Sequence, residues 1–355
     1  MAAAERMGVT ILRQVLKVVV GGLGHATGVG PLVLRRRRVG EGLVVLSFHK
    51  VVVEPYFRAQ MAISREAFAR FLDFLVDQVD IVDLVDAVQS VGVIEQRPER
   101  LKVALTFDDG YRDNFEHALP ELQKRSLPAT VFLATGFLDD AGLYPWWDGL
   151  AYVLTALEYA TVNARNEVRR QFKKFSIVVG DFTQPLGAGA INAVVDQVRT
   201  MPESGRRDLI NGLMAMAVEF KQARPRIMLN WVEARAMAAA GIRFGAHTVT
   251  HPNLDQLSKP DMVYELENCR HRIQQETDQR ATAFAYPSGR YSSAVVEAVR
   301  GLGFEMACTT VPGVFRSGFD RFLVPRVDIS DNVIQGINTA FSPSMWHFQL
   351  LQQAR

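Results

Sequence analysis

The sequence predicts an α/β protein whose parallel strands close into a barrel carrying a mainly helical insertion, and three observations predict it. Short apolar runs rich in β-branched and aromatic residues recur along the chain. Stretches with helical spacing separate them, and strands alternating with helices build parallel sheets that curl or close. The spacing is regular except over one long segment, which is helical in pattern.

In chain order, the runs are 43–48 (LVVLSF), 103–107 (VALTF), 130–134 (TVFLA), 242–246 (IRFGA), 282–286 (TAFAY) and 304–308 (FEMAC). Each has strand length and composition. Over 64–78, Phe68, Phe71, Leu72 and Leu75 share one helical face, with Ser64 at its start. Residues 113–125 and 293–301 read as helices too, the latter opened by Ser292 and Ser293 as caps. Between 135 and 230 there is about three times the chain that one strand–helix unit needs. The excess, about 140–230, is expected to sit on the barrel as an insertion. The resulting division is an amphipathic and basic segment over 1–40, a barrel over 41–335 and a tail over 336–355.

The 355 residues, 48% hydrophobic and 22% charged, are enough to bury a core without disulfide or metal staples. A metal in such a chain is expected to be catalytic. A formal net charge of +2 argues against nucleic acid as a partner. The two cysteines, Cys269 and Cys308, have no metal spacing and predict no disulfide framework.

Residues 8–23 are apolar but interrupted by Arg13 and Lys17, too short and too charged to span a bilayer. They also lack the charge-first pattern of a secretory signal. With Arg35, Arg36, Arg37 and Arg38 behind it, this segment predicts either a helix packed on the domain or peripheral contact with an anionic membrane. The expected location is the cytoplasm, including the inner face of the membrane.

The strongest chemical signal ends the second run, Leu105-Thr106-Phe107-Asp108-Asp109-Gly110-Tyr111. Two adjacent carboxylates where an apolar strand gives way repel each other and lose solvation unless a cation joins them. A metal beside one leaves the other free to act as a base; an Asx-type turn with Gly110 is the purely structural alternative. The run 242–246 ends in His247-Thr248-Val249-Thr250-His251. Two histidines four apart, read as one side of a helical turn, can both reach one ion. Two imidazoles and a carboxylate leave coordination positions open for water and substrate, as a hydrolytic site requires.

These motifs resemble the polysaccharide deacetylases, the NodB-homology family also called carbohydrate esterase family 4. Its first motif, TFDDG, stands at 106–110, and its second, His-(Ser/Thr)-x-x-His, at 247–251. The resemblance, over roughly residues 41–335, implies a distorted barrel of the (β/α)7 type, of about seven strands. It implies hydrolysis of N-acetyl groups on amino sugars of an exopolysaccharide, an envelope glycan or a lipid-linked precursor. By the same resemblance Asp108 is the base, Asp109, His247 and His251 hold one divalent ion, and the main-chain N–H of Tyr111 serves the oxyanion. Zinc suits that ligand set, with nickel or cobalt able to replace it.

Elsewhere the pattern departs from the family's. Ala285 stands where an arginine is expected before the turn Pro287-Ser288-Gly289. Arg326, with Arg290 behind it, is the candidate to hold the base ionised. For the general acid, His49 competes with His347. Leu46-Ser47-Phe48-His49 looks like the start of the exopolysaccharide-modifying branch, which favours His49. His25, His117 and His271 lack partners and are not expected to be catalytic. Trp146, Trp147 and Tyr286 are candidates to pack against sugar rings. The competing functions are an amidase on a non-sugar amide and an inactive glycan-binding or scaffold protein.

Overall fold

The computed structural model describes residues 42–92, 100–140, 142–180, 182, 186–217, 225–334 and 342. The membrane-contact expectation for residues 1–40 and the candidate acid His347 lie outside them. No helix of the described residues is long and apolar enough to cross a membrane.

Among the described residues ten strands form, in chain order β1 (Leu43–Phe48), β2 (Lys50–Val52), β3 (Ala62–Ser64), β4 (Asp80–Ile81), β5 (Lys102–Phe107), β6 (Thr130–Leu133), β7 (Arg243–Ala246), β8 (Ala283–Ala285), β9 (Met306–Cys308) and β10 (Val327–Asp328). β2 and β3 pair with each other. The main sheet is parallel, with spatial order β10-β1-β5-β6-β7-β8-β9 and β4 on the first residues of β5. Val324 bridges Cys308 of β9, while Val327 and Asp328 pair with Leu46 and Ser47 of β1. One short segment therefore touches both free edges, and the seven strands curl into the distorted (β/α)7 barrel the sequence predicts.

Side chains alternate across each strand, so the barrel has two apolar faces. Leu43, Val45, Ala104, Phe132, Ala283 and Met306 fill the interior. Val44, Leu46, Phe48, Val103, Phe107 and Val131 pack outward beneath the helices. Gly245 keeps the interior closed, since a Cβ there would lie 2.4 Å from the Phe132 ring. Helix Arg65–Gln78 starts where predicted, with the Ser64 hydroxyl accepting from the Ala67 N–H. Helix Ser293–Gly301 starts the same way, capped by Ser292.

The segment predicted as one helix over 113–125 is instead a π-helical turn, Asn114–Ala118, followed by an α-helix, Leu119–Lys124. Pro120 is the physical reason: it has no N–H to give to the preceding turn, and a widened turn absorbs the mismatch.

The insertion contributes helices Trp146–Ala156, Val162–Lys174, Ala188–Arg199 and Glu203–Ala217. They enclose an apolar core of their own, built on Leu150, Leu154, Phe172, Val195, Leu209 and Leu213. Polar ties join this unit to the barrel: the Asn192 amide donates to the Phe57 carbonyl, and the Asn253 N–H donates to Glu203.

Candidate active site

Register brings the site together. Phe48 of β1 pairs with Phe107 of β5, so His49 and Asp108 leave the sheet side by side. Ala246 of β7 pairs with both Leu133 of β6 and Phe284 of β8, which starts His247 at the same end of the barrel. Alternation along β5 places Ala104, Thr106 and Asp108 on its inner face. There Arg326, 1% exposed, meets them from the segment that closes the barrel. Its guanidinium grips Asp108 with two parallel bonds of 2.7 Å. It also donates to Thr106 Oγ1 (3.3 Å) and, through Nε, to the Thr309 carbonyl (2.9 Å). Burial opposes ionisation of Asp108, but Arg326 outweighs it and holds the carboxyl well below the usual carboxylate range. Arg290, the runner-up, pairs instead with Asp255 and is half exposed.

Asp109 leaves the strand with φ +73° and Gly110 follows with φ +81°. Gly110 is required twice over, by that left-handed backbone and because a Cβ would lie 2.9 Å from Leu133. The turn points Asp109 away from Asp108 and toward the histidines. Its Oδ1 lies 3.5 Å from Nε2 of both His247 and His251. The three residues present ligand atoms within 4.8 Å of one another. Both Asp109 carboxylate oxygens are buried without a hydrogen-bond partner, an expensive state that a cation between these groups relieves. The His247 Nδ1 lies 2.7 Å from the Ala285 carbonyl, so it carries the proton and leaves Nε2 free for a metal. Burial lowers His251 to about 4, keeping it neutral, as a ligand must be. Donor types, burial and unmet carboxylate oxygens all fit one divalent ion.

The histidine pair does not lie on the helical turn read from the sequence. Thr248 and His251 have φ of +70° and +56°, and the segment is a loop. Its shape is fixed by Glu265 on helix Lys259–Thr277. This buried carboxylate accepts from the N–H groups of Val249 (2.7 Å) and Thr250 (2.9 Å) and from the Thr250 hydroxyl (2.6 Å). The His251 N–H closes the loop on Thr248 Oγ1 (3.0 Å). Glu265→Gln replaces an acceptor of three donors by an amide whose own NH2 opposes one of them. Metal affinity is expected to fall about 10–100-fold, as for other partners that orient a ligand. Competition against a chelating dye measures this, and unchanged far-UV circular dichroism separates it from unfolding.

A cavity of about 680 Å³ opens over these groups, lined by Asp108, Asp109, His247, His251 and, from the barrel rim, His49. Trp146 lines it from the insertion, with Arg206 5.1 Å above its ring. Trp147 reaches the cavity too, but its N–H is given to the Tyr111 hydroxyl (2.8 Å) and its ring packs edge-on against His251 at 5.1 Å. Tyr286 borders the same cavity, but it is 0% exposed and its hydroxyl donates to the Phe322 carbonyl (3.0 Å). His117 and His271 lie on helices away from this cavity, and both cysteines are buried and unpaired.

Sequence reasoning missed a buried polar cluster beneath the insertion. Asp148 accepts from Tyr56 (2.6 Å) and Tyr111 (2.7 Å), and burial pushes its carboxyl up. Lys50 lies 3.8 Å from the centre of the Tyr111 ring and pairs with Asp113 at 3.1 Å. Asp148 directly follows the tryptophan pair, and that adjacency was the available signal.

Barrel, paired carboxylates and histidine loop together define a hydrolase-type site at the carboxyl ends of parallel strands. The family model described as polysaccharide deacetylase matches residues 95–178 and 208–307, more than half of the chain, and the chain belongs to that family. YxkH of Bacillus subtilis, also named as a polysaccharide deacetylase, is 26% identical over 113 residues, which are 32% of this chain and 40% of that protein. The chain therefore spans less than half of the length of that curated relative. Among solved structures, the Streptococcus pyogenes deacetylase PplD superposes with a TM-score of 0.56 at 17% identity, covering 88% of this chain and 98% of that one. IcaB from Ammonifex degensii gives 0.52 at 22% identity, covering 82% and 93%. Both show the same fold.

Proposed function

We propose that the protein is a metal-dependent N-deacetylase acting on N-acetylated amino sugars of an exopolysaccharide, an envelope glycan or a lipid-linked precursor. One observation carries this reading. The unbonded Asp109 carboxylate faces two histidines, beside an Asp108 that Arg326 keeps ionised, on the floor of one open cavity. The cavity volume lies within the range of ligand sites, about 300–1,000 Å³.

Asp109, His247 and His251 would hold the divalent ion, zinc by donor type, with nickel or cobalt as alternatives. When bound, such an ion polarises the acetamide carbonyl and makes water a competent nucleophile near neutral pH. The chain's own groups do the rest. Asp108 takes the proton that water loses as its oxygen bonds to the acetyl carbon. Arg326 keeps that carboxylate charged and aimed. The main-chain N–H of Tyr111 donates to the carbonyl oxygen as charge develops there. His49, beside Asp108 in the register, gives a proton to the sugar nitrogen as the C–N bond breaks, leaving acetate and a free amine.

Acetate release from N-acetylglucosamine oligomers by chelator-treated protein, before and after addition of zinc, nickel or cobalt, tests this. Release restored by a metal is the expected result. One ion bound per chain with no release under any metal would point to a different amide substrate, and failure to bind metal would sink the reading.

A further inference from the structure

The cavity holds a charge that deacetylation of a neutral sugar does not need. Arg58, between β2 and β3, is 4% exposed and lines the cavity. Its Nε and Nη1 are buried without a hydrogen-bond partner, and no ion pair reaches it among the described residues. A lysine so placed could shed its proton, but a guanidinium cannot, so the charge persists whatever the pH. An unpaired buried charge costs stability, and a chain that carries one gains nothing from it until a counter-charge arrives.

Asp108, Asp109 and Asp328 line the same cavity, but among the described residues none of them forms an ion pair with Arg58. Phe57, next to Arg58, packs on the insertion core, so the guanidinium sits at the seam where barrel loop and insertion enclose the cavity. Arg199, Arg206 and Arg290 line the same cavity. Arg199 pairs loosely with Asp196, Arg206 with Glu203 and Arg290 with Asp255, which leaves Arg58 as the one of these four without an ion pair among the described residues. Burial lowers the pKa of Arg206, Glu203 opposes that shift, and the charge of Arg290 adds a smaller push in the same direction as burial.

We propose that Arg58 binds an oxyanion, a carboxylate or a phosphate, carried by the N-acetylated substrate, so that the preferred glycan is acidic. This rests on the deacetylase reading for the reaction itself, but the anion site stands on its own geometry. A guanidinium fork matches both oxyanions with two parallel hydrogen bonds. A uronic acid next to the acetylated sugar and a phosphate on its anomeric carbon are the two sources of that group.

The test uses zinc-loaded protein, native and Arg58→Gln, with three ligands. These are the neutral N-acetylglucosamine tetramer, a tetrasaccharide alternating N-acetylglucosamine with glucuronate, and N-acetylglucosamine 1-phosphate. Binding is read by calorimetry and turnover by acetate release. At least one charged ligand is expected to bind native protein ten-fold or more tighter than the neutral tetramer. The one that does identifies the source as uronate or phosphate. Arg58→Gln should abolish that preference and raise the Tm of the ligand-free protein, because it removes an unpaired buried charge. A structural arginine would do the opposite and lower the Tm. Equal affinity for neutral and charged ligands in native protein, or a preference that survives Arg58→Gln, overturns the proposal. If charged ligand binds through Arg58 while none is deacetylated, the anion site stands and the deacetylase reading falls. If all are deacetylated without preference, the reverse holds.

Discussion

Asp108→Asn is expected to lower kcat for acetate release by about 10²–10⁴-fold, the range for loss of a general base, while the protein still binds one metal ion per chain. The argument rests on how the strand end divides two adjacent carboxylates. Alternation along β5 turns Asp108 inward to Arg326, and the left-handed backbone at Asp109 swings that side chain to the histidines. Asparagine keeps the shape and one acceptor oxygen for Arg326 but has no basic lone pair to take a proton. Metal content by mass spectrometry and kcat by acetate release separate the two roles. Asp109→Asn should reverse the pattern, losing the metal first and the rate as a consequence. An Asp108→Asn protein within a few-fold of native kcat would remove Asp108 from the base role.

Which parts of this arrangement were legible in the sequence follows from the range of the interactions involved. β1 appears where its apolar run predicts, because a strand buried on both faces writes itself as continuous apolar residues. The resemblance implied an arginine beside Asp108, and with Ala285 in its usual place the sequence left Arg326 and Arg290 as candidates; the pairing falls to Arg326. The histidine loop was half legible. Spacing showed that both rings could reach one ion, but helical geometry was the wrong reason. The loop is held by Glu265, whose role depends on where a helix 15 residues or so downstream docks. The depth of Tyr286 was not legible, because an aromatic residue at a strand end reads alike whether it is exposed at a cavity or buried beside one. Arg58 carried no local signal at all. It stands in a loop before a short 3-10 turn, and only the tertiary enclosure by the insertion makes its charge unusual.

Arg326→Met should destabilise the protein by about 3–5 kcal/mol at neutral pH, because it leaves a buried carboxylate without its partner. The pH dependence carries the sharper signature. In the native chain Arg326 depresses the Asp108 pKa below its ordinary 3.8. Such a group contributes stability that is fully present above its unfolded pKa and lost only as pH falls through the folded one. Above about pH 5, where the unfolded carboxyl is ionised as well, this pair therefore adds almost no slope to native stability. Without Arg326, burial becomes the dominant influence on Asp108 and raises its pKa above the unfolded value. The sign then inverts: the contribution is retained below the unfolded pKa and lost as pH rises through the folded one. Denaturant unfolding of chelator-treated protein across pH 4–8 should show the variant losing stability relative to native as pH rises. The rate should follow the same group. With the Asp108 pKa raised, the acid limb of kcat/KM should move to higher pH in the metal-loaded variant than in the native protein. Arg326→Lys keeps the charge but loses the fork and the bond to Thr309, so it should show the native sign at reduced stability. A methionine variant with native slope and native rate profile would mean that Asp108 is held ionised by something other than Arg326.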